Sequence, residues 1–276
     1  MTTSTSSSPS SESSESFQIP IEAAEAYEAA FVPAFFAQWA PALCEAAGVV
    51  AGQRVLDVAC GTGIVARTAA DLVGPANILG VDLNRAMLTV ARRVRPDIEW
   101  RQGDVAALPF PDGSFDAVVC QMALMFFPDR SGALREMSRV ATAGGAVAVL
   151  VPGQLDEQAA YGPFVDMASR HAGPEARSLL STYFACGDID QLAALFDRAG
   201  LVVTTTRTQH GTARFPSVDV AVATEVNSTP LGERLTPEVY ERIVVGAREV
   251  LAPFTSHDGA LAMPFASHIV VAQKTS

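Results

Sequence analysis

Short apolar runs alternate with amphipathic helical patterns through the first half of the chain. The first run leads into a glycine turn, RVLDVACGTG at 54–63, and a helical pattern follows it over 62–72. Four more strands are predicted by later apolar runs, at 77–81, 98–101, 115–121 and 146–151. Strands that alternate with helices form a parallel sheet with right-handed crossovers. The pattern therefore predicts an α/β fold with a doubly wound, mostly parallel sheet.

Beyond residue 152 the helical stretches become longer. Helices are predicted at 154–172, 188–199, 215–227 and 237–250, and strands at 201–207 and 268–273. The segments at 153–187 and 211–260 exceed ordinary connections, so we expect them to form a helical substrate cover over the ligand edge of the sheet. N-terminal helices with an aromatic face are predicted at 20–50, with breaks at Pro33 and Pro41.

The N-terminus differs in composition from the rest of the chain. Residues 1–16 are almost entirely Ser, Thr and Glu, which cannot bury apolar area, so we expect a disordered tail. They contain neither a basic start nor an apolar segment, so they do not resemble a secretory signal. Residues 17–276 are then expected to form one domain, and a cytoplasmic protein is predicted.

Composition narrows the class of protein further. The chain of 276 residues is 49% apolar and carries a formal net charge of −11. This acidity argues against a nucleic-acid partner, which needs clustered cations, and no apolar run approaches the roughly 20 residues of a membrane helix. The four cysteines are widely separated, which predicts neither a disulfide framework nor a metal site. A small-molecule partner fits best, while monomer and homodimer both stay open.

The glycine turn indicates where a ligand binds. A strand that runs into Gly61-Thr62-Gly63 and then a helix places backbone N–H groups at a helix N-terminus. We expect Gly61 to permit the turn and Gly63 to permit close approach of the backbone to the ligand. The turn therefore predicts a site for a small ligand with an anionic or nucleoside part.

Acidic residues on neighbouring strands restrict the ligand. Asp82 follows the second strand, where a doubly wound fold places a carboxylate against ribose hydroxyls, and Asp104 follows the third. The turn also satisfies a loose dinucleotide fingerprint, which would allow NAD. However, Asp57 just before the turn suits a cationic ligand group, and no hydride-relay residues are evident on the later strands. An NAD(P)-dependent oxidoreductase is thus the weaker alternative.

Five motifs in order carry a resemblance to a known family. They are VLDVACGTG at 55–63, GVDLN at 80–84, QGDVAALPFPDGSFDAVVC at 102–120, QMALMFFPD at 121–129 and LREMSRVATAGG at 134–145. Together they resemble the class I S-adenosylmethionine-dependent methyltransferases, in particular the subgroup of ubiquinone/menaquinone-biosynthesis and other small-molecule methyltransferases. The resemblance implies a seven-stranded Rossmann-like sheet with a last antiparallel strand beside the fifth, and residues 17–276 as the methyltransferase domain.

The resemblance also implies a set of residues around S-adenosyl-L-methionine. Asp82 would accept from both ribose hydroxyls, Asp104 would meet the adenine amino group, and Tyr27 would fold over the cofactor. The full set of implied cofactor contacts is Tyr27, Asp57, Ala59, Gly61, Gly63, Asp82, Leu83, Met87, Gly103, Asp104, Val105 and Gln121. Relatives often carry a polar side chain at position 122 or 125, where this chain has methionine.

The predicted function is methyl transfer to an O, C or N nucleophile of a small, partly apolar metabolite. Such an in-line displacement depends mainly on positioning, so no catalytic triad is required. The candidates for a general base, if one acts, are His171, Glu225 and His257, with His210 weaker. The candidates for the substrate pocket are Met122, Met125, Phe126, Tyr183 and Phe215. A non-catalytic module that kept the cofactor fold is the second alternative.

Overall fold

A computed structural model describes residues 18–275 of the chain. Its sheet has seven strands, at Val55–Val58 (β1), Ile78–Asp82 (β2), Glu99–Gln102 (β3), Phe115–Gln121 (β4), Ala141–Pro152 (β5), Leu201–Phe215 (β6) and Leu261–Lys274 (β7). Their order is β3-β2-β1-β4-β5-β7-β6, and β7 runs antiparallel to both of its neighbours. The predicted doubly wound sheet with an antiparallel last strand beside the fifth is confirmed. The predicted tail at 1–16 lies outside the described residues.

Helices flank both faces of this sheet. They are Ile21–Ala26 (α1), Ala40–Ala46 (α2), Ile64–Val73 (α3), Arg85–Val94 (α4), Arg130–Val140 (α5), Tyr161–Ala172 (α6), Pro174–Leu180 (α7), Ile189–Arg198 (α8), Val218–Asn227 (α9), Leu231–Arg234 (α10) and Pro237–Val250 (α11). A π-helix at Tyr27–Phe36 follows α1 directly, and short 3₁₀ turns at Val105–Ala107, Leu124–Phe126 and Thr182–Phe184 lie between the longer elements.

Local sequence explains where several of these helices begin. The Asn84 side chain accepts from the backbone N–H groups of Ala86 and Met87, and Asp129 accepts from that of Gly132. Such caps satisfy N–H groups that have no partner inside the helix. Asp188 caps α8 in the same way. Each cap follows an apolar strand or loop, so the chain turns into a helix at the end of the sheet.

Two hydrophobic clusters, one on each face of the sheet, form the core. Val55 of β1 belongs to the cluster that contains Trp39 and Leu43, whereas Leu56 and Val58 belong to the other. This alternation follows from the two-residue period of a strand. It also turns Asp57, which is 1% exposed, toward the same face as Val55.

Three expectations about the elements were wrong. Strand β6 extends through Phe215, so residues 211–215 are not part of a helical cover and Phe215 does not begin a helix. Strand β5 begins at Ala141 and not at residue 146, so Gly144-Gly145 lies inside it, where the ladder to β4 shifts register. Pro33 lies within the π-helix and does not break it. In each case long-range pairing or the wider π-helical turn overrode the local signal.

None of the helices between residues 18 and 275 has the length and apolarity needed to cross a bilayer.

Candidate active site

The carboxyl ends of the parallel strands open onto a cavity of about 710 Å³. Its wall includes Asp82 at the end of β2, Asp104 after β3 and Ala123 after β4. Ligands of open α/β sheets bind at this edge, beside the point where the strand order reverses. In this sheet the reversal falls between β1 and β4, next to the glycine turn.

The glycine turn and Asp82 hold one another in place. Gly61 adopts a positive φ of 55° and its N–H donates to Oδ2 of Asp82 at 2.8 Å, while the Asn84 N–H donates to Oδ1 at 2.7 Å. Burial raises the pKa of the Asp82 carboxyl, and these backbone hydrogen bonds oppose the rise. A Cβ on Gly61 would meet nothing nearer than the Tyr27 ring at 3.9 Å. Gly61 therefore faces open space beneath Tyr27.

Gly63 has a different role from the one expected. A Cβ at Gly63 would lie 2.1 Å from Cη2 of Trp100, and Gly63 lines neither cavity described here. Gly80 on β2 also lies against this indole, since a Cβ there would be 2.5 Å from the ring. The two glycines thus make room for Trp100, and the backbone at Gly63 approaches an indole ring instead of a ligand.

Asp57 lies below the turn. Its Oδ2 accepts from the Ala66 N–H at 2.9 Å, in the first turn of α3. Burial raises the pKa of Asp57 to about 8, a rise that the Ala66 hydrogen bond opposes and the nearby Asp82 adds to. Asp57 thereby ties the glycine turn to the helix that follows it. It also lines a second cavity of about 130 Å³.

This smaller cavity contains an acceptor without a partner. Gln121 donates from Nε2 to the Phe36 carbonyl at 3.0 Å, but its buried Oε1 has no hydrogen-bond partner among residues 18–275. Buried polar atoms are rarely left unpaired, so this oxygen suits a donor on a ligand. Tyr27, whose ring lies 5.1 Å from that of Phe36, forms the aromatic side of the cavity.

Two strained residues border the smaller cavity. Ala59 and Met122 have φ values of 54° and 55°, and among the described residues they alone have positive φ without being glycine. The left-handed conformation costs an L-residue roughly 1–2 kcal/mol, and such strain concentrates at functional sites. Both positions follow the ends of central strands, β1 and β4, where the chain bends around the cavity.

Most of the predicted cofactor residues meet at these two cavities. The larger is lined by Ala59, Gly61, Asp82, Leu83, Met87, Gly103, Asp104 and Val105, and the smaller by Tyr27, Asp57, Ala59, Gly61 and Gln121. Because Ala59, Gly61, Ala123, Phe126 and Tyr183 line both, the two cavities are neighbouring parts of one site. Gly63 is the exception among the predicted set.

The predicted substrate residues divide into two groups. Phe126 and Tyr183 line both cavities and pack edge to face with ring centroids 5.2 Å apart, and Met122 lines the smaller cavity. Met125 and Phe215 line neither, and both are buried in the hydrophobic core. Phe215 closes β6, so its ring packs in the sheet and not at the ligand edge.

None of the candidate bases lines either cavity. His257 is exposed in the loop before β7, His210 lies within β6, and His171 packs beside Gly246 of α11. Glu225 on α9 is nearer, because it accepts from the Tyr161 hydroxyl at 2.9 Å and interacts electrostatically with Tyr183. Burial raises the pKa of Glu225 to about 7. Among the described residues no His, Cys, Asp or Glu cluster has the arrangement of a metal site.

Sequence reasoning missed part of the wall of the larger cavity. The missed residues include Ile19, Asn84, Pro128, Asp129, Gly132, Leu179, Thr182, Ser228, Thr229 and Pro230. Asn84 could have been found, since it lies two residues after Asp82 and caps the next helix. The others come from separate segments that only the fold brings together, so no local pattern identifies them.

The strand order, the antiparallel β7 and the acid at the end of β2 define the Rossmann-like methyltransferase fold. Residues 56–149 match a family model described as a methyltransferase domain. They contain the glycine turn and the ends of β2, β3 and β4, which supply most of the larger cavity's predicted cofactor residues. Over these residues the chain is therefore similar to a methyltransferase domain, in agreement with the family resemblance of the five motifs.

Individual relatives agree with this assignment. The demethylmenaquinone methyltransferase of Renibacterium salmoninarum is 43% identical over 112 residues, which cover 41% of this chain and 46% of that protein. Methyltransferase GfsG of Streptomyces halstedii is 36% identical over 168 residues, or 58% and 56% of the two chains. The chain thus spans about half the length of the curated relatives it matches.

A solved structure extends the similarity of fold to nearly the whole chain. Phosphoethanolamine N-methyltransferase 2 of Haemonchus contortus, in complex with S-adenosyl-L-methionine, superposes with a TM-score of 0.57 at 20% identity. The match covers 93% of this chain and 58% of that one. At this identity the similarity concerns the fold alone.

Proposed function

We propose that this chain transfers a methyl group from S-adenosyl-L-methionine to an O, C or N nucleophile of a small, partly apolar molecule. The observation that carries the proposal is the joined pair of cavities over Gly61, with Asp82 in one and the unpaired Oε1 of Gln121 in the other. A carboxylate suits a ribose diol, and a buried amide oxygen suits an ammonium group.

The chain's own residues fit such a cofactor at both ends. Asp82 would hold the ribose, with Leu83 and Met87 on one side of the adenine and Asp104 with Val105 at its edge. Asp57, Ala59, Gly61 and Gln121 would surround the methionine end, under Tyr27. All of these side chains or backbone atoms line one of the two cavities, which supports the assignment.

When bound, the cofactor supplies an electrophilic sulfonium methyl group. The protein's part is to hold the acceptor in line with that group and to keep water out, and positioning of this kind can lower a barrier by roughly 7–11 kcal/mol. Tyr27, Phe126 and Tyr183 surround the junction of the cavities. Their aromatic faces would exclude water there and favour a cation.

We infer that Glu225, and not His171 or His257, assists an acceptor that must lose a proton. Glu225 lines neither cavity, so it would act through Tyr183 as a positioning group. Burial raises the pKa of Glu225 to about 7, so Glu225→Gln should lower kcat and flatten the pH profile of kcat near that pH. An unchanged pH profile would assign Glu225 a purely structural role. Tyr161→Phe is the matched control, because it removes the hydrogen bond between Tyr161 and Glu225 and keeps the carboxylate.

Equilibrium binding separates this proposal from the oxidoreductase alternative. We expect the protein to bind S-adenosylhomocysteine and not NADH, and Asp82→Asn to weaken that binding by about tenfold or more, as loss of a hydrogen bond to a charged group does. Asp156→Asn, an exposed carboxylate outside both cavities, is the control. Binding of NADH, or unchanged affinity in Asp82→Asn, would refute the assignment.

A second assay addresses the non-catalytic alternative. Radiolabelled methyl transfer from the cofactor to small-molecule extracts should label at least one product. Tight cofactor binding without any labelled product would favour a binding module.

A further inference from the structure

Part of the wall of the larger cavity comes from segments outside the proposed cofactor contacts and has a distinctive chemistry. It is formed by the segment after β4, by the 3₁₀ turn at Thr182–Phe184 and by the loop between α9 and α10. Phe126, Phe127, Leu179 and Pro230 give it a largely apolar surface. We call this part of the wall the acceptor wall, since none of its residues belongs to the set proposed to hold the cofactor.

No Lys, Arg or His side chain lines either cavity in the described part of the chain. Residues 1–17 and Ser276 contain none of these residue types, so they cannot add a basic side chain. Arg130, which follows the acceptor wall in sequence, donates to the Met125 carbonyl and lines neither cavity. An anionic ligand would therefore find no cationic side chain here.

The helix end at the acceptor wall does not replace the missing cation. Gly132 and Ala133, in the first turn of α5, line the cavity, and a helix N-terminus carries a partial charge of roughly +0.5. The Asp129 carboxylate lies on the same turn, accepts from the Gly132 N–H at 2.8 Å and itself lines the cavity. Arg135, which lines neither cavity, pairs with the other oxygen of this carboxylate, Oδ2, at 3.5 Å. The Gly132 N–H is thus already occupied by a carboxylate and is not free for an anionic ligand.

Three of the four hydroxyl groups of the acceptor wall are already used as donors to backbone carbonyls, and the fourth, on Tyr183, interacts with Ser228. Thr182 donates to the Ser178 carbonyl at 3.1 Å, Ser228 to that of Glu225 at 2.9 Å, and Thr229 to that of Val226 at 3.0 Å. Each hydroxyl oxygen keeps lone pairs but no free hydrogen. The polar atoms of Asp129 and of these three side chains are therefore hydrogen-bond acceptors.

From these two properties we infer that the methyl acceptor is an uncharged, apolar molecule that carries hydroxyl groups, and that carboxylates and phosphate esters are rejected. A hydroxyl group can donate to the acceptor atoms of this wall, whereas an anion offers only further acceptors and would lie beside the Asp129 carboxylate without a cationic side chain in the cavity. The inference rests on the proposed methyltransferase function, because that function assigns the rest of the cavity wall to the cofactor.

A matched pair of probes tests the inference directly. With the protein saturated with S-adenosylhomocysteine, calorimetry should show that 2-naphthol binds at least tenfold more tightly than 2-naphthoate, at a pH where the acid is ionised and the naphthol is not. The naphthol methyl ether, which lacks the donor, should bind more weakly than the naphthol. Equal affinities, tighter binding of the carboxylate, or binding of neither probe at millimolar concentration would overturn the inference.

A charge-insertion variant provides the complementary test. Thr229→Lys should raise the affinity for 2-naphthoate by about tenfold relative to Thr229→Met, which has a similar length and no charge, without a matching gain for 2-naphthol. Equal affinities in the two variants would show that this wall does not select by charge. If S-adenosylhomocysteine itself fails to bind, the proposed function fails; if it binds and only the probe preferences are wrong, the substrate inference alone fails.

Discussion

Replacement of Asp57 by asparagine isolates the effect of burying one carboxyl group beside the glycine turn. Asparagine keeps an oxygen that can accept the Ala66 N–H, so the turn should survive. What changes is ionisation, because burial raises the pKa of Asp57 from 3.8 to about 8. The substitution therefore removes a titration while it preserves the local hydrogen bond.

The sign of the pH dependence follows from linkage. A carboxyl group with a raised pKa in the folded chain stabilises the fold fully below its unfolded pKa, and this contribution is lost as the pH rises through the folded value. For Asp57 the window runs from pH 3.8 to about 8. Each pH unit inside this window lowers the free energy of unfolding of wild type by about 1.4 kcal/mol. Between about pH 5 and pH 8, wild type should therefore lose about 4 kcal/mol more of this free energy than Asp57→Asn does.

Urea unfolding of both proteins at several pH values, in the absence of cofactor, measures this difference. The free energy of unfolding should fall more steeply with pH in wild type, and the two curves should converge toward low pH. Asp156→Asn, which removes an exposed carboxylate, should follow the wild-type slope. Parallel curves for wild type and Asp57→Asn would refute the reasoning, because they would mean that Asp57 ionises in the folded chain as it does in water.

Two further predictions concern the turn and the π-helix above it. Gly63→Ala should destabilise the fold by about 3–4 kcal/mol in thermal or urea unfolding, because its Cβ would overlap Trp100 and its φ is +88°. Nη1 of the half-buried Arg67 on α3 donates to Glu28 of the π-helix at 2.7 Å, and this ion pair holds the two helices together. Glu28→Gln should therefore destabilise the fold by about 1–2 kcal/mol and raise the Kd for S-adenosylhomocysteine several-fold.

Each of these predictions has a matched control. The Cβ of Gly61→Ala would meet open space at a φ of +55°, so this variant should lose only about 1 kcal/mol of stability. When only the folded fraction of each variant is compared, Gly61→Ala should weaken cofactor binding more than Gly63→Ala. Glu25→Gln breaks the exposed Glu25–Arg93 pair and should leave both stability and affinity nearly unchanged. Equal losses at Gly61 and Gly63, or at Glu25 and Glu28, would contradict the roles assigned here.

Local patterns of the sequence determined much of the frame of this protein. The period of apolar residues located all five parallel strands of the first half and the helices at Ile64–Val73 and Pro237–Val250. These features depend on contacts within a few residues, so they can be recognised without the fold. The sequence also placed the acids Asp82 and Asp104 at one edge, because the carboxyl ends of parallel strands lie on the same side of a sheet.

Only the tertiary structure decided which side chains meet. Gly63 contacts Trp100 from a strand two positions away in the sheet, and Phe215 is held in β6 by pairing with Leu261. Thr182 and Thr229 lie far apart in sequence and line one cavity. Such contacts depend on how distant segments pack, and the chain encodes them only through the folded core, so local spacing cannot reveal them.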